Sequence, residues 1–467
     1  MKKIPFASLL SVLLAVSRLT HPQCHAEPTE PLSQRPNILF LFTDDQPANC
    51  TGYSGNQAIQ TPNLDTLARR GTVFNNAFVT TAICCSNRAC LMTGQPMHRH
   101  GIKDFRAPLS KEAFANTYPA LLRRAGYRTG YLGKYAIGNP NMHPEEALPK
   151  SEFDTWYGFP QSISFKQSVN GEPRYLTSVM TEKAIDFFEE EDDRPFCLTV
   201  AFKEPHGPFS YFDPNVEDPY ENVELPPSPT FTREDFQKQP PFIRNSLNAS
   251  SSSEFLANRD RHQQYLRTFY RTVTRADQAV GEILAALKRL GLDKNTVVIF
   301  SSDHGDHLGD HGLTGKWLMY ESSIRVPLII YDPRPKQQSS AQRDELVLSL
   351  DIPATIISLA GLTVPETMEG RSLLPLLHGK KPEWRSHFYY EHTYTPEDKK
   401  RLPIPRTEGI RTERWKYVRY PEQSPVFEQL FDLDADPLEQ HNLIASKQWQ
   451  EMADRLRRLC DAEAPRP

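Results

Sequence analysis

No run of apolar residues in the sequence is long enough to cross a membrane. The apolar run Leu9 to Val16 falls well short of the roughly 20 residues that a membrane-spanning helix needs, so we do not expect an integral membrane protein. The 467 residues also carry no excess of positive charge, since their formal net charge is −4, which argues against a general nucleic-acid binder. No internal repeat is evident, and the length suits a large core and two domains.

Cysteine is scarce, with seven residues spread unevenly along the chain. Cys84, Cys85 and Cys90 lie close together, but their spacing is not that of a zinc site, and no partner pair with histidine follows. A disulfide would be compatible with an exported protein, but the sequence assigns no pairing.

The N-terminus has the features of an export signal. Lys2 and Lys3 form a basic region, the apolar run Leu9 to Val16 follows, and Cys24-His25-Ala26 is typical of a cleavage site. We therefore predict a signal peptide over residues 1–26 and a mature protein that is periplasmic or extracellular. The alternative is an N-terminal segment that is retained as an amphipathic anchor.

Short apolar segments alternate with helical patterns along residues 34–378. Asn37 to Phe42 is a continuous apolar run, as expected for a strand that is buried on both faces. Thr61 as a cap and Pro62 in the first turn predict the start of a helix that Gly71 ends. The alternation predicts an α/β domain with a mostly parallel central sheet flanked by helices.

The sequence changes character in two later regions. Residues 210–255 are rich in proline, acidic residues and serine and show little periodicity, so we expect a long surface excursion. Near residues 376–386 the chain becomes basic and turn-rich, and short segments such as Arg414 to Tyr420 follow. These segments predict an antiparallel sheet in a smaller C-terminal α+β domain over residues 379–467.

Acidic residues directly follow two of the predicted strands. Asp44 and Asp45 follow the first strand, and Asp303 and His304 follow a later one. Ligand sites in open α/β sheets lie beyond the carboxyl ends of the strands, so these side chains are expected to meet. Carboxylates packed together repel one another unless a cation lies between them, and oxygen ligands favour Ca²⁺ or Mg²⁺. Taken singly, each acidic pair has the alternative interpretation of a helix cap or a solvated turn.

The segment from Cys84 to Gly94 carries a second chemical signal. Arg88 lies four residues after Cys84, so a helix that begins near Cys84 puts both side chains on one face. The positive end of that helix and the Arg88 guanidinium together favour an anion and lower the pKa of a thiol. The alternative is a buried cysteine cluster in which Arg88 makes a structural ion pair.

This segment resembles the signature of the type I, formylglycine-dependent sulfatases of the alkaline-phosphatase superfamily, which is Cys-x-Pro-Ser-Arg-x-x-x-(Leu or Met)-Thr-Gly. The matching residues are Cys84, Arg88, Met92, Thr93 and Gly94. Ser86 and Asn87 depart from the Pro-Ser pair, which is the part of the motif that maturation enzymes read.

The resemblance covers nearly the whole mature chain and is nearest to the arylsulfatase and N-acetylglucosamine-6-sulfatase-like branches. The segments that match in order are Arg35 to Gln46, Ser302 to Gly312, Lys316 to Pro327, Asp351 to Leu373 and Arg411 to Leu443. The resemblance implies that residues 34–378 form a large alkaline-phosphatase-like catalytic domain.

The resemblance further implies a modified cysteine and a bound metal. Cys84 would be converted to 3-oxoalanine (formylglycine) by a formylglycine-generating maturase. The ligands of one Ca²⁺ would be Asp44, Asp45, Asp303, His304 and the modified residue 84. In such enzymes the aldehyde is hydrated, one hydroxyl attacks sulfur as the alcohol leaves, and the second hydroxyl then expels sulfate.

Residues that contact the sulfate are also implied by the resemblance. Lys134 matches the family's first sulfate-contacting lysine, Lys316 matches the second, and Arg88 is a fixed cation beside residue 84. His206 matches the histidine near the leaving oxygen, so we expect His206 and Lys316 to protonate the leaving alkoxide. Many members carry a histidine where this chain has Ala136, so the base that helps to collapse the sulfated intermediate is unassigned.

The expected activity is hydrolysis of a sulfate ester on a sugar of a sulfated polysaccharide or its oligosaccharides. The expected partners are that carbohydrate and the maturase, with no nucleic acid and no membrane span. One alternative is a phosphomonoester or phosphodiester hydrolase of the same superfamily. The other is a non-catalytic sulfoglycan-binding protein in which Cys84 stays a thiol.

Overall fold

The computed structural model describes residues 32–465 except residues 162, 210, 213–216, 335–340, 395 and 397–401. The signal peptide predicted over residues 1–26 lies outside the described residues. Within the described part of the chain, no helix is both long enough and apolar enough to cross a membrane.

The described strands form one large sheet, one four-stranded sheet and two separate pairs. Their bounds are β1 Asn37–Thr43, β2 Thr72–Phe74, β3 Ala77–Phe78, β4 Arg128–Lys134, β5 Thr155–Phe159, β6 Lys166–Val169, β7 Glu172–Tyr175, β8 Phe196–Ala201, β9 Thr296–Ser302, β10 Ile329–Tyr331, β11 Ala341–Arg343, β12 Val347–Leu348, β13 His387–His392, β14 Thr407–Thr412, β15 Trp415–Tyr420 and β16 Phe427–Asp432. The large sheet has the order β11-β2-β10-β9-β1-β8-β4-β5.

The large sheet is mostly parallel, as predicted. β1 lies at its centre and pairs in parallel with both β8 and β9. β10 is the antiparallel exception, since it pairs in that sense with both β2 and β9. The fold class predicted from the alternating pattern is therefore confirmed.

Helices cover both faces of this sheet. Their bounds are α1 Pro62–Arg70, α2 Cys84–Thr93, α3 Met97–His100, α4 Lys111–Ala115, α5 Tyr118–Arg124, α6 Leu176–Glu189, α7 Arg233–Lys238, α8 Pro241–Arg244, α9 Ser252–Ala257, α10 Arg259–Arg289, α11 Glu321–Ile324, α12 Asp351–Leu359, α13 Leu374–Leu377 and α14 Gln450–Glu463. Phe40 and Phe42 of β1 pack in a core that includes residues of α2, α5 and α12, whereas Leu39 and Leu41 pack in a core with residues of α1, α6 and α10. Successive side chains of a strand point to opposite faces, so a fully apolar strand is what a sheet between two helical layers requires.

The first helix begins where the sequence predicts, but its cap differs. Pro62 is the first residue of α1, yet the Thr61 side chain makes no capping hydrogen bond to the helix backbone. Its hydroxyl instead donates to Asp65 Oδ1 at 3.0 Å and accepts from the Gly52 N–H at 2.8 Å. Thr61 thus ties the preceding loop to the first turn of the helix.

Residues 210–255 were predicted to form a surface excursion, and that prediction is wrong for much of the segment. It contains α7, α8 and most of α9, and Leu225 and Ile243 are fully buried. The Thr232 hydroxyl accepts from the Asp235 N–H at 2.9 Å and so caps α7. Such short helices give little periodicity, although Ile243 packs in the core with Phe40 and Phe42, and Leu225 packs with residues of α10.

The C-terminal part has the predicted antiparallel sheet. β13, β14, β15 and β16 pair in sequence order. The last helix, α14, packs on this sheet through Leu456 and Cys460, which join Ile410, Tyr417 and Leu430 in a separate small core. The smaller α+β part is confirmed, while the domain boundary between residues 378 and 379 stays a prediction.

Candidate active site

The carboxyl ends of β1 and β9 bring two polar segments to one place. Thr43, the last residue of β1, pairs with Ser302, the last residue of β9. The residues that follow, namely Asp44, Asp45, Asp303 and His304, therefore leave the sheet side by side at the same edge.

These four side chains lie close together and are almost wholly buried. The Asp45 N–H donates to Asp303 Oδ1 at 3.1 Å, and His304 Nδ1 lies 3.1 Å from Asp45 Oδ1. Burial acts to lower the pKa of His304, but the neighbouring Asp303 outweighs it and the pKa rises to about 9. Burial would raise the pKa of Asp44, but the cations around it, Lys134 foremost, hold that pKa well below its usual value.

Cys84 lies where several charged groups converge. It is the first residue of α2 and its side chain is 2 % exposed. The Sγ atom is 3.4 Å from Asp44 Oδ1, 3.3 Å from His304 Nε2, 3.5 Å from Lys134 Nζ and 3.4 Å from Lys316 Nζ. Burial and Asp44 act to raise the pKa of the thiol, yet the ammonium groups beside it hold the pKa well below its usual value.

The adjacent cysteine has a different environment. Cys85 is fully buried in the core beneath α2, with its Sγ 3.8 Å from the Ser86 hydroxyl. Burial raises the pKa of the Cys85 thiol. The two neighbouring cysteines are thus opposite in character, because only Cys84 faces the cations.

Arg88 links the helix to the ends of three strands. Its Nε donates to Asp303 Oδ2 at 2.9 Å, and its Nη2 lies 3.2 Å from Asp44 Oδ2. Another guanidinium N–H donates to the Lys134 carbonyl at the end of β4. The guanidinium also lies 4.9 Å from the centre of the Phe42 ring. With 1 % exposure, Arg88 fixes α2 against β1, β4 and β9.

Two lysines complete the inner part of the site. Lys134 forms an ion pair with Asp44, and Lys316 forms one with Asp45. Both lysines are at most 7 % exposed. Burial lowers the pKa of each ammonium, but the adjacent carboxylates outweigh it and raise the pKa of both.

Three residues of this region have left-handed backbone conformations that are rare outside glycine. They are Asp45 with a φ of 78°, Ala136 with 59° and Trp317 with 83°. Each lies beside or among the residues that surround Cys84. Such outliers persist only where the surrounding contacts impose them, and they are concentrated at functional sites.

His206 lies at the outer side of the cluster. Its side chain is 29 % exposed, and Nε2 is 3.8 Å from Asp45 Oδ2. The other ring nitrogen, Nδ1, is hydrogen-bonded to the Gly207 carbonyl, which leaves Nε2 turned toward the site. A histidine in this place can exchange a proton with a group that enters from solvent.

The structure thus brings all nine predicted site residues together, and their chemical roles stay predictions. They are Asp44, Asp45, Cys84, Arg88, Lys134, His206, Asp303, His304 and Lys316. One supporting residue went unnoticed in the sequence. Asn248 donates through Nδ2 to the Lys316 carbonyl at 2.6 Å and to the Thr314 carbonyl at 3.2 Å. It lies in the segment that was expected to be a surface excursion and carries no local signal.

The side chains suit a hard divalent cation. Among the described residues, two sets could hold a metal ion, with ligand atoms within 4.8 Å of one another: Asp44, Asp45, Cys84 and His206, and Asp44, Cys84, Asp303 and His304. Each set contains two carboxylates that are almost wholly buried, and carboxylates this close together are stabilised by a nearby positive charge. Carboxylate oxygens are the ligands that Ca²⁺ and Mg²⁺ prefer, so the donor set fits the predicted metal.

The fold and the charged, buried thiol site together define a hydrolase of the alkaline-phosphatase superfamily. The sulfatase family profile matches residues 36–362, which is more than half of the chain. A second profile, that of the N-sulphoglucosamine sulphohydrolase C-terminal region, matches residues 309–464. The chain therefore belongs to the sulfatase family and is a sulfuric ester hydrolase.

Individual relatives agree with this assignment. The chain is 28 % identical to an N-acetylglucosamine-6-O-sulfatase of Bacteroides thetaiotaomicron, over 97 % of this chain and 90 % of that protein. It is 30 % identical to the N-acetylglucosamine-6-sulfatase of Homo sapiens, over 77 % of this chain and 68 % of that protein.

Solved structures show the same fold. A protein in complex with its substrate D-glucosamine-2-N,6-O-disulfate superposes with a TM-score of 0.76 at 26 % identity, covering 92 % of this chain and 97 % of that one. A phosphonate monoester hydrolase of Agrobacterium radiobacter has a TM-score of 0.73 at 24 % identity, covering 92 % and 96 %, and this likeness concerns the fold alone.

Proposed function

We propose that this sulfatase is an exported, formylglycine-dependent and Ca²⁺-dependent enzyme that removes sulfate from a sugar of a sulfated glycan. The observation that carries the proposal is the environment of Cys84. Its Sγ lies within 3.5 Å of two ammonium groups, a carboxylate and an imidazole, at the first turn of a helix. A sulfate ester needs concentrated positive charge around the nucleophile, and this is where the chain concentrates it.

The metal ligands in this proposal are Asp44, Asp45, Asp303 and His304, together with residue 84. A bound Ca²⁺ would supply positive charge that offsets the anionic ligands and the incoming sulfate. Arg88 keeps the ligands in register, since its guanidinium contacts both Asp44 and Asp303. Asp44 and Asp303 are fully buried and Asp45 is almost so, which supports their role as ligands rather than as solvated groups.

Residue 84 is the proposed nucleophile. As formylglycine, it would supply a hydrated aldehyde whose two hydroxyls serve for attack and for release of sulfate. Lys134 and Lys316 flank Cys84 Sγ, whose place the attacking hydroxyl would take, so their ammonium groups are placed to contact sulfate oxygens.

The proposed general acid is His206, with Lys316 beside it. A leaving alkoxide needs a proton, and His206 presents Nε2 toward the site from its solvent side. Ala136 has no proton-accepting side chain, so this chain uses another group as the base for the release step.

The proposed substrate class comes from the relatives. An N-acetylglucosamine-6-O-sulfatase and a protein bound to a disulfated glucosamine are among the proteins that this chain resembles. A sulfated amino sugar or its oligosaccharide is therefore the class we propose.

We further propose cleavage of a signal peptide after residue 26 and residence of the mature protein in the periplasm or outside the cell. The proposed domains span residues 34–378 and 379–467.

Two measurements test the proposal. Protein purified from its native host should hydrolyse p-nitrophenyl sulfate faster than p-nitrophenyl phosphate, and a preference for phosphate would contradict it. Mass spectrometry of the peptide that contains residue 84 should show formylglycine. An unmodified thiol without turnover would instead support a sulfoglycan-binding protein.

A further inference from the structure

We propose that Asn87 is a positioning residue that holds the Asp303 backbone against α2 and thereby sets the geometry of the proposed metal ligands. The inference rests on the proposed function, because it assigns Asp303 and His304 to the metal. It concerns one of the two residues at which the chain departs from the sulfatase signature, which has serine at position 87.

Asn87 bridges two separate parts of the chain. It is the fourth residue of α2 and is fully buried. Its Nδ2 donates to the Asp303 carbonyl, and its Oδ1 accepts from the Ser349 hydroxyl at 2.7 Å. The Asp303 carbonyl can only accept, so the end of the amide that faces it is the NH₂ group, and Oδ1 faces the Ser349 hydroxyl, which donates to it.

With this contact, every polar group of Asp303 has a partner. Its N–H donates to the Thr43 carbonyl at 3.0 Å, and its carbonyl accepts from Asn87. Oδ1 accepts from the Asp45 N–H at 3.1 Å, and Oδ2 accepts from Arg88 Nε at 2.9 Å. Asn87 and Arg88 are consecutive residues, so one turn of α2 holds both the backbone and the side chain of Asp303.

The far end of the bridge is itself fixed. Ser349 precedes α12, and its N–H donates to the Phe78 carbonyl at 2.8 Å. Two residues on, Asp351 accepts from the Leu348 N–H at 2.8 Å and from Arg385 Nη2 at 2.7 Å. Ser349 therefore has a fixed position, and its hydrogen bond holds the Asn87 amide in one orientation.

A serine at position 87 could not form the same bridge. Its only polar atom is bonded directly to Cβ, whereas the asparagine amide places an acceptor and a donor one bond farther out and pointing apart. A single hydroxyl oxygen would have to reach both Asp303 and Ser349. The departure from the signature thus adds a contact instead of merely losing one.

Groups that orient metal ligands through hydrogen bonds are worth about 10-fold to 100-fold in metal affinity. We therefore expect Asn87→Ser to raise the Kd for Ca²⁺ by about that factor. Ser349→Ala keeps the Asn87 amide that donates to Asp303 and removes only the hydrogen bond that holds this amide in place. Loss of one neutral hydrogen bond should raise the Kd of this variant for Ca²⁺ by about twofold to tenfold.

The test is calorimetric titration of Ca²⁺ alone into the full-length protein and its variants, all prepared from one host so that residue 84 is in the same state. Asn63→Ser is the matched control. Asn63 also donates through its amide, to Asp277 Oδ2 at 2.8 Å, but in the contact between α1 and α10. The Asn63→Ser variant should have a lower melting temperature than the wild type and the same Kd for Ca²⁺.

An unchanged Kd in Asn87→Ser would overturn the inference while leaving the proposed hydrolysis intact. Should Asn87→Ser fail to fold, an unchanged Kd in Ser349→Ala would overturn it equally. If the wild-type protein does not bind Ca²⁺, the proposed metal site and this inference both fall, and turnover of p-nitrophenyl sulfate then tells whether the hydrolase assignment survives.

Discussion

Two groups of buried charges lie at either end of the short stretch from Lys316 to Glu321, and they are built differently. The first, here called the active-site cluster, comprises Asp44, Asp45, Cys84, Arg88, Lys134, Asp303, His304 and Lys316. The second, here called the C-terminal cluster, comprises Glu321, Arg411, Lys416 and Glu439. In the C-terminal cluster Lys416 Nζ is 2.8 Å from Glu321 and 2.6 Å from Glu439, and Arg411 Nε is 3.0 Å from Glu321.

The C-terminal cluster is closed on itself. Two cations face two carboxylates, and the Glu321 N–H donates to Glu439 as well. These contacts fasten β14 and β15 to α11. The active-site cluster instead directs two lysines, a carboxylate and an imidazole at one sulfur atom.

Both clusters contain strongly shifted pKa values, so a shifted pKa does not by itself distinguish them. Burial would raise the pKa of Glu321, but Lys416 and Arg411 hold it far below its usual value. What marks a reactive site is convergence on an atom that can form a bond, together with a neighbouring group that solvent can reach. His206, at the outer side of the active-site cluster, is such a group.

The largest expected effect is a loss of turnover when the central residue of the active-site cluster is changed. Cys84→Ala should lower kcat for a sulfate ester by about 10⁴-fold or more, because it removes the proposed nucleophile. Cys85→Ala is the matched control, since Cys85 is buried away from the cations and should be dispensable for turnover. Steady-state kinetics on folded protein measures both, and activity retained in Cys84→Ala would contradict the assignment.

A second effect concerns the outer side of the active-site cluster. His206→Ala should lower kcat/KM by about 10²-fold to 10⁴-fold for a sugar sulfate, whose alkoxide needs a proton to leave. The loss should be much smaller for p-nitrophenyl sulfate, because nitrophenolate leaves without one. His441→Ala, a change at an exposed histidine of the C-terminal part, serves as the control. Equal losses on both substrates would refute the general-acid role.

Stability should respond most strongly in the C-terminal cluster. Lys416→Met leaves the buried Glu439 without a cation and Glu321 with Arg411 alone, and it should lower the free energy of unfolding by about 3–5 kcal/mol. Lys447→Met changes an exposed lysine and should have little effect. Denaturant unfolding measures the difference. The folded Lys416→Met protein should keep its kcat, and a large loss of kcat would show that the clusters are not separable.

The smallest expected effect is a pH dependence. Burial, reinforced by Glu321 and opposed by Lys416, raises the pKa of Glu439 from 4.5 to about 7. Between those values the folded protein binds more protons than the unfolded chain, so this group makes stability fall as pH rises through that window. Glu439→Gln does not titrate, so relative to wild type its free energy of unfolding should improve between about pH 5 and about pH 8. A difference that is independent of pH would contradict this.

The sequence predicted those parts of the site that depend on local patterns. The spacing of Cys84, Arg88 and Gly94 reports one helix, and Asp44 and Asp303 each follow an apolar strand that any α/β sheet would place centrally. The position of β1 between β8 and β9 then brings the two strand ends together.

Other contacts could not be predicted because they join distant, locally featureless segments. Ser349 and Asn87 are 262 residues apart, and Asn248 and Lys316 are 68 apart. Nothing in the periodicity of either segment selects its partner. The Thr61 hydroxyl illustrates the same limit at short range, because it bonds to Gly52 of the preceding loop and to the Asp65 side chain instead of capping the helix backbone.

The burial of Cys84 has a consequence for the proposed conversion of residue 84 to formylglycine. With 2 % of its side chain exposed and two lysines, an aspartate and a histidine packed on its sulfur, the thiol offers no approach to another protein once the sheet has formed. A maturase would therefore have to act on the unfolded segment, during or soon after synthesis. Folding would then seal in whichever form of residue 84 was present, and a chain that folded first would stay an unconverted thiol for its lifetime.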